Sequence, residues 1–174
     1  MQIETPRLLL RPWRPADSGW FAELHADPRV MHDYGDPLDR DASDAKLERY
    51  IMAFKRHSLG RWAIETRDGE VQGYAGVMSV PASHPLGAHF DIGWRLKHNA
   101  WGHGYATEAA KAALDDVFAR VGLETVFAYT APNNLRSQAV MRRLGLYRDP
   151  SRDFTTTYDG AAAWHGWVWV ARRT

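Results

Sequence analysis

Not one of the 174 residues is cysteine. A thiol nucleophile, a zinc–thiolate site and a disulfide framework are therefore excluded. Long apolar runs are also missing, and no stretch approaches the length of a membrane span. The opening segment, residues 1–13, is charged and interrupted by Pro6 and Pro12, which does not read as a signal peptide. A cytoplasmic protein without membrane contact is the expectation. Charge of one sign is lacking too: 22 Lys and Arg face 21 Asp and Glu, a net +1. Bulk charge thus argues for neither nucleic acid nor acidic membranes as partners. Internal repeats and low-complexity linkers are absent. Hydrophobic residues make up 45%, which suits one domain over residues 1–174 with a full core.

The stretch from Trp94 to Phe118 is the most informative. Phe90, Ile92, Trp94 and Leu96 alternate with His89, Asp91, Gly93 and Arg95, as in a strand. Ala106, Ala109, Ala110, Ala113, Leu114, Val117, Phe118 and Val121 repeat at helical spacing. Between them lies Trp101-Gly102-His103-Gly104-Tyr105-Ala106, two glycines at a helix N-terminus. The first helical N–H groups have no intrahelical partner, and the helix dipole places positive charge there. Glycine lets the main chain approach an anion closely, so a phosphate-binding turn is one reading. A tight structural turn is the other. The dinucleotide fingerprint does not fit, because Thr107 stands where its third glycine belongs. A Walker loop does not fit either, since no Gly-Lys-Ser/Thr is present.

In chain order, Arg7 to Trp13 predicts a strand. A helix follows with Trp20, Phe21 and Leu24 on its apolar face, stopped at Asp27-Pro28. His32 to Asp44 reads as an acidic, mobile loop, and Ser43 to His57 as a second helix. Strands are expected at Trp62–Thr66 and Val71–Val80 around an Asp68-Gly69 turn. Pro81 to Gly87 is a loop. After the central strand and helix come a strand at Val126–Thr130 and a helix from Asn134 to Leu144, ending at Gly145. Leu146–Thr157 and Trp164–Ala171 are the closing strands. The order predicts a single mixed α/β sheet with helices packed on it.

Three segments together resemble the GNAT superfamily of N-acetyltransferases, and within it the ribosomal-protein N-terminal (Rim-type) branch. They are Thr5–Trp13 with Ala26–Met31, Asp91–Trp94 with Trp101–Ala109, and Asn133–Gly145. The resemblance implies about seven strands in one sheet that splays between the fourth and fifth, with about four helices on both faces. It implies acetyl-CoA as co-substrate, with no metal. The pyrophosphate would sit on the amides of Trp101, Gly102, His103, Gly104, Tyr105, Ala106 and Thr107. The pantetheine arm would run beside Trp94, Arg95 and Leu96, with Gly93 leaving room for the splay. Homodimers through exposed sheet edges are also what the family implies.

Direct transfer needs a neutral amine, an oxyanion donor and a way to stabilise the CoA thiolate. An α-amine has a pKa near about 8 and a lysine about 10.4. Ser137 is the candidate for the thiolate, because the resemblance implies that this position lies near the sulfur; the Tyr that many relatives place four residues later is Met141 here. Asn134, three residues before it, would contact the cofactor arm. The plainer readings are a helix-face hydroxyl for Ser137 and a helix cap for Asn134. Asp91 is the candidate base, against a carboxylate that positions substrate or pairs with an arginine. Glu108 suits the dipole of its helix better than catalysis. The acceptor is a primary amine, with a protein N-terminus favoured over a polyamine, amino acid or aminoglycoside. An acyl-CoA sensor of the same fold is the competing class.

Eight histidines invite a metal reading, but His84/His89 and His98/His103 lack a matching carboxylate spacing. His89 and His103 flank the motifs and are placed at the site. Trp164, Trp167 and Trp169 read as core, or as a substrate groove or dimer contact. Arg142 and Arg143 read as a solvated helix face or as partners for the 3′-phosphate. The acidic run Asp33, Asp36, Asp39, Asp41 and Asp44 reads as a solvated loop, or as an attractor for a cationic acceptor.

Overall fold

The computed structural model describes residues 1–33, 35–157 and 162–174. Its strands, among these residues, form one sheet with β8 appended to β9. They are β1 (Ile3–Glu4), β2 (Leu8–Arg11), β3 (Arg61–Thr66), β4 (Val71–Val80), β5 (His89–Leu96), β6 (Thr125–Thr130), β7 (Tyr147–Arg148), β8 (Phe154–Thr156) and β9 (Trp164–Arg172). The order across the sheet is β1-β2-β3-β4-β5-β6-β9-β7. All neighbours are antiparallel except β5 and β6. The helices are α1 (Ser18–Ala26), α2 (Pro28–Met31), α3 (Arg40–His57), α4 (Tyr105–Asp116) and α5 (Leu135–Arg143).

The central strands alternate between two helical layers. Leu8, Leu10, Trp62, Ile64 and Ala75 pack on Ala109 and Ala113 of α4. Val77, Ile92, Val126 and Ala128 pack on Ala110 and Leu114 of α4 and Met141 of α5. Ala63 and Tyr74 face the other way, against Phe21 and Leu24 of α1, Val30 of α2 and Leu47 and Tyr50 of α3.

The strand and helix count exceeds the expectation through short elements. The predicted strand Leu146–Thr157 is broken by a turn at Pro150–Arg152, giving β7 and β8. Asp27 does end α1, yet its carboxylate caps α2, with Pro28 at the first helical position. The predicted loop His32–Asp44 is shorter than expected, because α3 begins at Arg40. Asp39 caps it by accepting from the N–H of Ala42 at 2.8 Å, and Arg40 pairs with Asp44 one turn on. Part of the acidic run therefore builds a helix start. Residue 34, within that loop, lies outside the described residues.

The ladder explains the splay. β4 and β5 stay paired from Gly73↔Leu96 to Val80↔His89. β5 and β6 share a single paired position, Asp91↔Phe127. Beyond it the two strands part, and the main chain of β5 from Gly93 onward faces the gap.

One titratable group is hidden under α1. His25 is 0% exposed, and its Nδ1 donates to the Phe21 carbonyl at 2.8 Å. Burial, with lesser repulsion from Lys46, pushes its pKa down to about 3. An unfolded histidine titrates near about 6.5. Between those values the unfolded chain holds the proton and the folded chain does not. Stability therefore rises with pH across that window and is lost as pH falls below about 6.5. Urea titrations are expected to show a loss of roughly 3 kcal/mol between about pH 6.5 and 4, and His25→Asn to flatten that slope.

Candidate active site

The turn before α4 has the backbone that the two glycines permit. φ is +83° at Gly102 and +79° at Gly104, the left-handed region that a Cβ disfavours. A Cβ on Gly102 would meet nothing within 4 Å. Gly104 caps α4, and the N–H groups of Tyr105, Ala106 and Thr107 find no acceptor among the described residues. Glu108 in the first turn is tied to the start of the chain. It accepts from Thr5 Oγ1 at 2.7 Å and from Arg7 Nε at 2.6 Å. Burial alone would raise its pKa, but the bonds from Thr5 and Arg7 outweigh it and hold it below the usual range. Glu108 thus clamps α4 onto the β1–β2 segment.

A cavity of about 910 Å³ opens in front of this turn and follows the gap beyond β5. Trp94, Arg95 and Leu96 line it, as do Trp101, Gly102, Gly104, Tyr105, Ala106, Thr107, Asn134 and Ser137. His103 does not line it; its ring stacks on Tyr105 and bonds to the Trp101 carbonyl at 3.0 Å. Four cations also line the cavity: Arg7, Lys111, Arg136 and Arg143. Arg136 lies over the Trp101 ring at 4.3 Å. Arg142 instead lies over Trp169 at 5.5 Å on the exposed face of α5, so of the Arg142-Arg143 pair only Arg143 lines the cavity.

At the inner end stand α5 and the loop after α2. Asn134 Oδ1 accepts from the Ser137 N–H at 3.1 Å, so Asn134 caps α5. Its Nδ2 donates to Asp33 at 2.8 Å. Arg95 donates to the other oxygen of Asp33 at 3.1 Å, and Trp164 Nε1 to its carbonyl at 3.1 Å. Asp33 therefore bridges both sides of the splay. Ser137 is half-buried on the cavity wall, and its hydroxyl makes no hydrogen bond among the described residues. Met141, in the position of the family's tyrosine, is buried in the core.

Asp91 is placed differently from a free base. Both its oxygens accept from Arg61 Nη2 at 2.8 Å, and the pair is buried. It does not line the cavity. The arginine pairing weighed against the base role is the arrangement present. Gly93 has a cause nearer than the splay: a Cβ there would lie 2.9 Å from Arg61 Nη2. Arg61 crosses β4 at Gly76, where no side chain blocks it, and donates to the carbonyls of Gly76 and Asp91.

Arg7, Asp33 and Arg136 were not singled out from the sequence as site residues. Arg7 lay within a motif but read as part of a strand. Asp33 lay in the acidic run with nothing to separate it from its neighbours. The tryptophans also divide: Trp164 meets Asp33, Trp169 is core, and Trp167 is 38% exposed beneath Arg148. Among the described residues no three His, Asp or Glu side chains converge as a metal site would require.

The sequence profile of the acetyltransferase (GNAT) domain matches residues 7–147. The chain belongs to the GNAT acetyltransferase family. The uncharacterized N-acetyltransferase YnaD of Bacillus subtilis is 28% identical over 150 residues, covering 86% of this chain and 84% of that one. The FsC-acetyl coenzyme A-N(2)-transacetylase of Aspergillus fumigatus is 30% identical over 152 residues, covering 83% and 64%. An acetyltransferase structure from Agrobacterium tumefaciens superimposes with a TM-score of 0.83 at 28% identity, covering 99% and 95%. The Rim-type fold matches too: a ribosomal-protein-S5-alanine acetyltransferase of Vibrio fischeri gives 0.77 at 14% identity, covering 99% and 96%. GNAT enzymes take their acetyl group from acetyl-CoA, so the cavity of this GNAT chain has a family ligand to be tested against. The open glycine turn, the unpaired N–H groups at the start of α4 and the cations Arg7, Lys111 and Arg143 fit a polyphosphate. The unpaired edge of β5 fits an extended arm.

Proposed function

We propose that this protein moves an acetyl group from acetyl-CoA to a primary amine by direct attack. The carrying observation is that one cavity joins the Gly102–Thr107 turn to Ser137 along the free edge of β5. In this reading the turn and Arg7, Lys111 and Arg143 hold the phosphates. Trp94, Arg95, Leu96 and Asn134 flank the pantetheine arm, and Trp101 with Arg136 covers it. The thioester lies near Ser137, whose hydroxyl donates a hydrogen bond to the departing sulfur. Asp91 and Arg61 act by shaping the opposite face of β5. The Rim-like motifs favour a protein N-terminus as acceptor, and a nitrogen acceptor is also in the name of the Aspergillus relative.

Calorimetry with acetyl-CoA, followed by free-thiol release on adding N-terminal peptides, spermidine or kanamycin, tests this. Micromolar binding with amine-dependent release is the expected result. Binding without release for every amine would favour an acyl-CoA sensor, and no binding would remove the cavity assignment. Ser137→Ala is expected to lower kcat about tenfold, a fraction of what general acid–base groups contribute, with acetyl-CoA affinity unchanged.

A further inference from the structure

Acetyl transfer as proposed leaves the proton of the attacking amine without a destination, because Asp91 is held by Arg61. Two residues before Asp91, on the same face of β5, stands His89. His84, from the β4–β5 loop, packs edge-on against it with ring centroids 4.9 Å apart. Their Nδ1 atoms are engaged in opposite senses. His84 Nδ1 accepts from the Leu86 N–H at 3.1 Å, so the neutral ring carries its proton on Nε2. His89 Nδ1 donates to the Gly87 carbonyl at 2.7 Å, so its Nε2 is bare when neutral. Both Nε2 atoms are buried and have no hydrogen-bond partner. Buried polar atoms are nearly always satisfied, so an orphaned donor beside an orphaned acceptor signals a small guest that can do both.

His89 stands two residues before the single β5–β6 pairing at Asp91, at the closed end of the splay, and neither ring lines the cavity. Tyr129, on β6 across the gap, lies 5.2 Å from His84 and 5.9 Å from His89. Phe154 of β8 closes on His84 at 4.8 Å, and Phe127 of β6 on His89 at 5.4 Å. The charged or titratable groups facing the pair, among the described residues, are Asp91 of β5 with Arg61 of β3 behind it, Tyr129, and Arg152, which lies over Phe127 at 5.0 Å. Burial first, and His89 second, keep His84 below the usual imidazole range despite the opposing pull of Asp91. His84 is thus the standing donor, and His89 the ring with a lone pair to offer.

We propose that His84 and His89 form the proton exit of the acceptor side, with one water held between their Nε2 atoms and the attacking amine. The amine lone pair forms the C–N bond while the thioester π pair moves to oxygen. An amine proton passes to the water, which gives one of its own to His89 Nε2. His84 Nε2–H holds the water oxygen throughout. The intermediate then collapses with cleavage of C–S; His89 releases its extra proton to solvent and the thiolate takes one from solvent, so none is gained or lost overall. The inference rests on the acetyl-transfer reading above.

Asparagine makes the test clean, because it keeps each Nδ1 bond and deletes Nε2. With the amine that best supports thiol release, His89→Asn is expected to lose about 10²-fold in kcat, the typical contribution of a general base. Its KM for acetyl-CoA should not move, and the acid limb of the kcat pH profile set by the imidazole should vanish. His84→Asn should lose about tenfold with that limb retained. A wild-type-like kcat and pH profile in His89→Asn overturns the proposal. If that variant does not fold, long-range ¹H–¹⁵N spectra of the wild type decide. His84 protonated on Nε2 and neutral His89 on Nδ1 sustain the proposal, and the reverse tautomers overturn it. Failure of the wild type to release thiol with any amine would instead overturn acetyl transfer itself.

Discussion

Arg61→Met is expected to cost about 3–5 kcal/mol of stability, the usual consequence of stripping the partner from a buried ion. At this chain length each kcal/mol moves the melting temperature by roughly 2–4 °C, so a drop of roughly 6–20 °C should be seen by calorimetry. The side chain starts on β3 and ends on β5, satisfying the Asp91 carboxylate and two main-chain carbonyls on the way. Methionine fills a similar volume but donates to none of these acceptors and leaves the buried Asp91 carboxylate without its cation, which separates the electrostatic loss from a cavity effect. The double variant Arg61→Met with Asp91→Leu should regain most of the loss, because a buried pair replaced by apolar side chains is often neutral. A single variant that melts within 2 °C of wild type, below what even about 1 kcal/mol would give, would show that the pair contributes little.

Gly102→Val and Gly104→Val are each expected to weaken acetyl-CoA binding at least about 100-fold, or about 2.7 kcal/mol at room temperature. The two backbones sit at φ +83° and +79°, where a β-branched residue is strained by about 1–3 kcal/mol. At Gly102 a Cβ meets nothing within 4 Å, so the loss would come from the changed turn and the filled approach to the helix N-terminus. At Gly104 the Cβ would lie 3.4 Å from Arg7 Nη2, so the larger valine side chain crowds Arg7, which the proposed function assigns to the phosphates. Calorimetry measures the affinity, and circular dichroism checks that α4 is intact. Folded variants that bind acetyl-CoA normally would reduce the turn to a structural feature.

Much of this was legible without coordinates. Residues 90–96 alternate because one side of β5 meets α4 and the other meets the α1–α3 layer. The Gly102/Gly104 turn could be placed because a strand period and a helix period meet there. The elements misjudged were those whose signal is a single contact. Asp39 became a cap through one bond to Ala42, which moved the start of α3 into the predicted loop. Asp91 looked like a base because strand periodicity says which face a carboxylate is on and nothing about what reaches it from two strands away.

What the sequence by itself determined is the family, the element order, and the turn with its helix N-terminus, since these depend on local backbone preference and periodicity. What only the tertiary structure decided is who meets whom across it. Arg61 finds Asp91 over two glycines, Asp33 joins Arg95 to Asn134 across the splay, and His84 and His89 are left with unmet nitrogens under Tyr129. Such contacts, with the Trp164–Asp33 bond beside them, join residues up to 131 positions apart. They arise from how twisted strands and packed helices bring side chains together, and no local pattern encodes that distance.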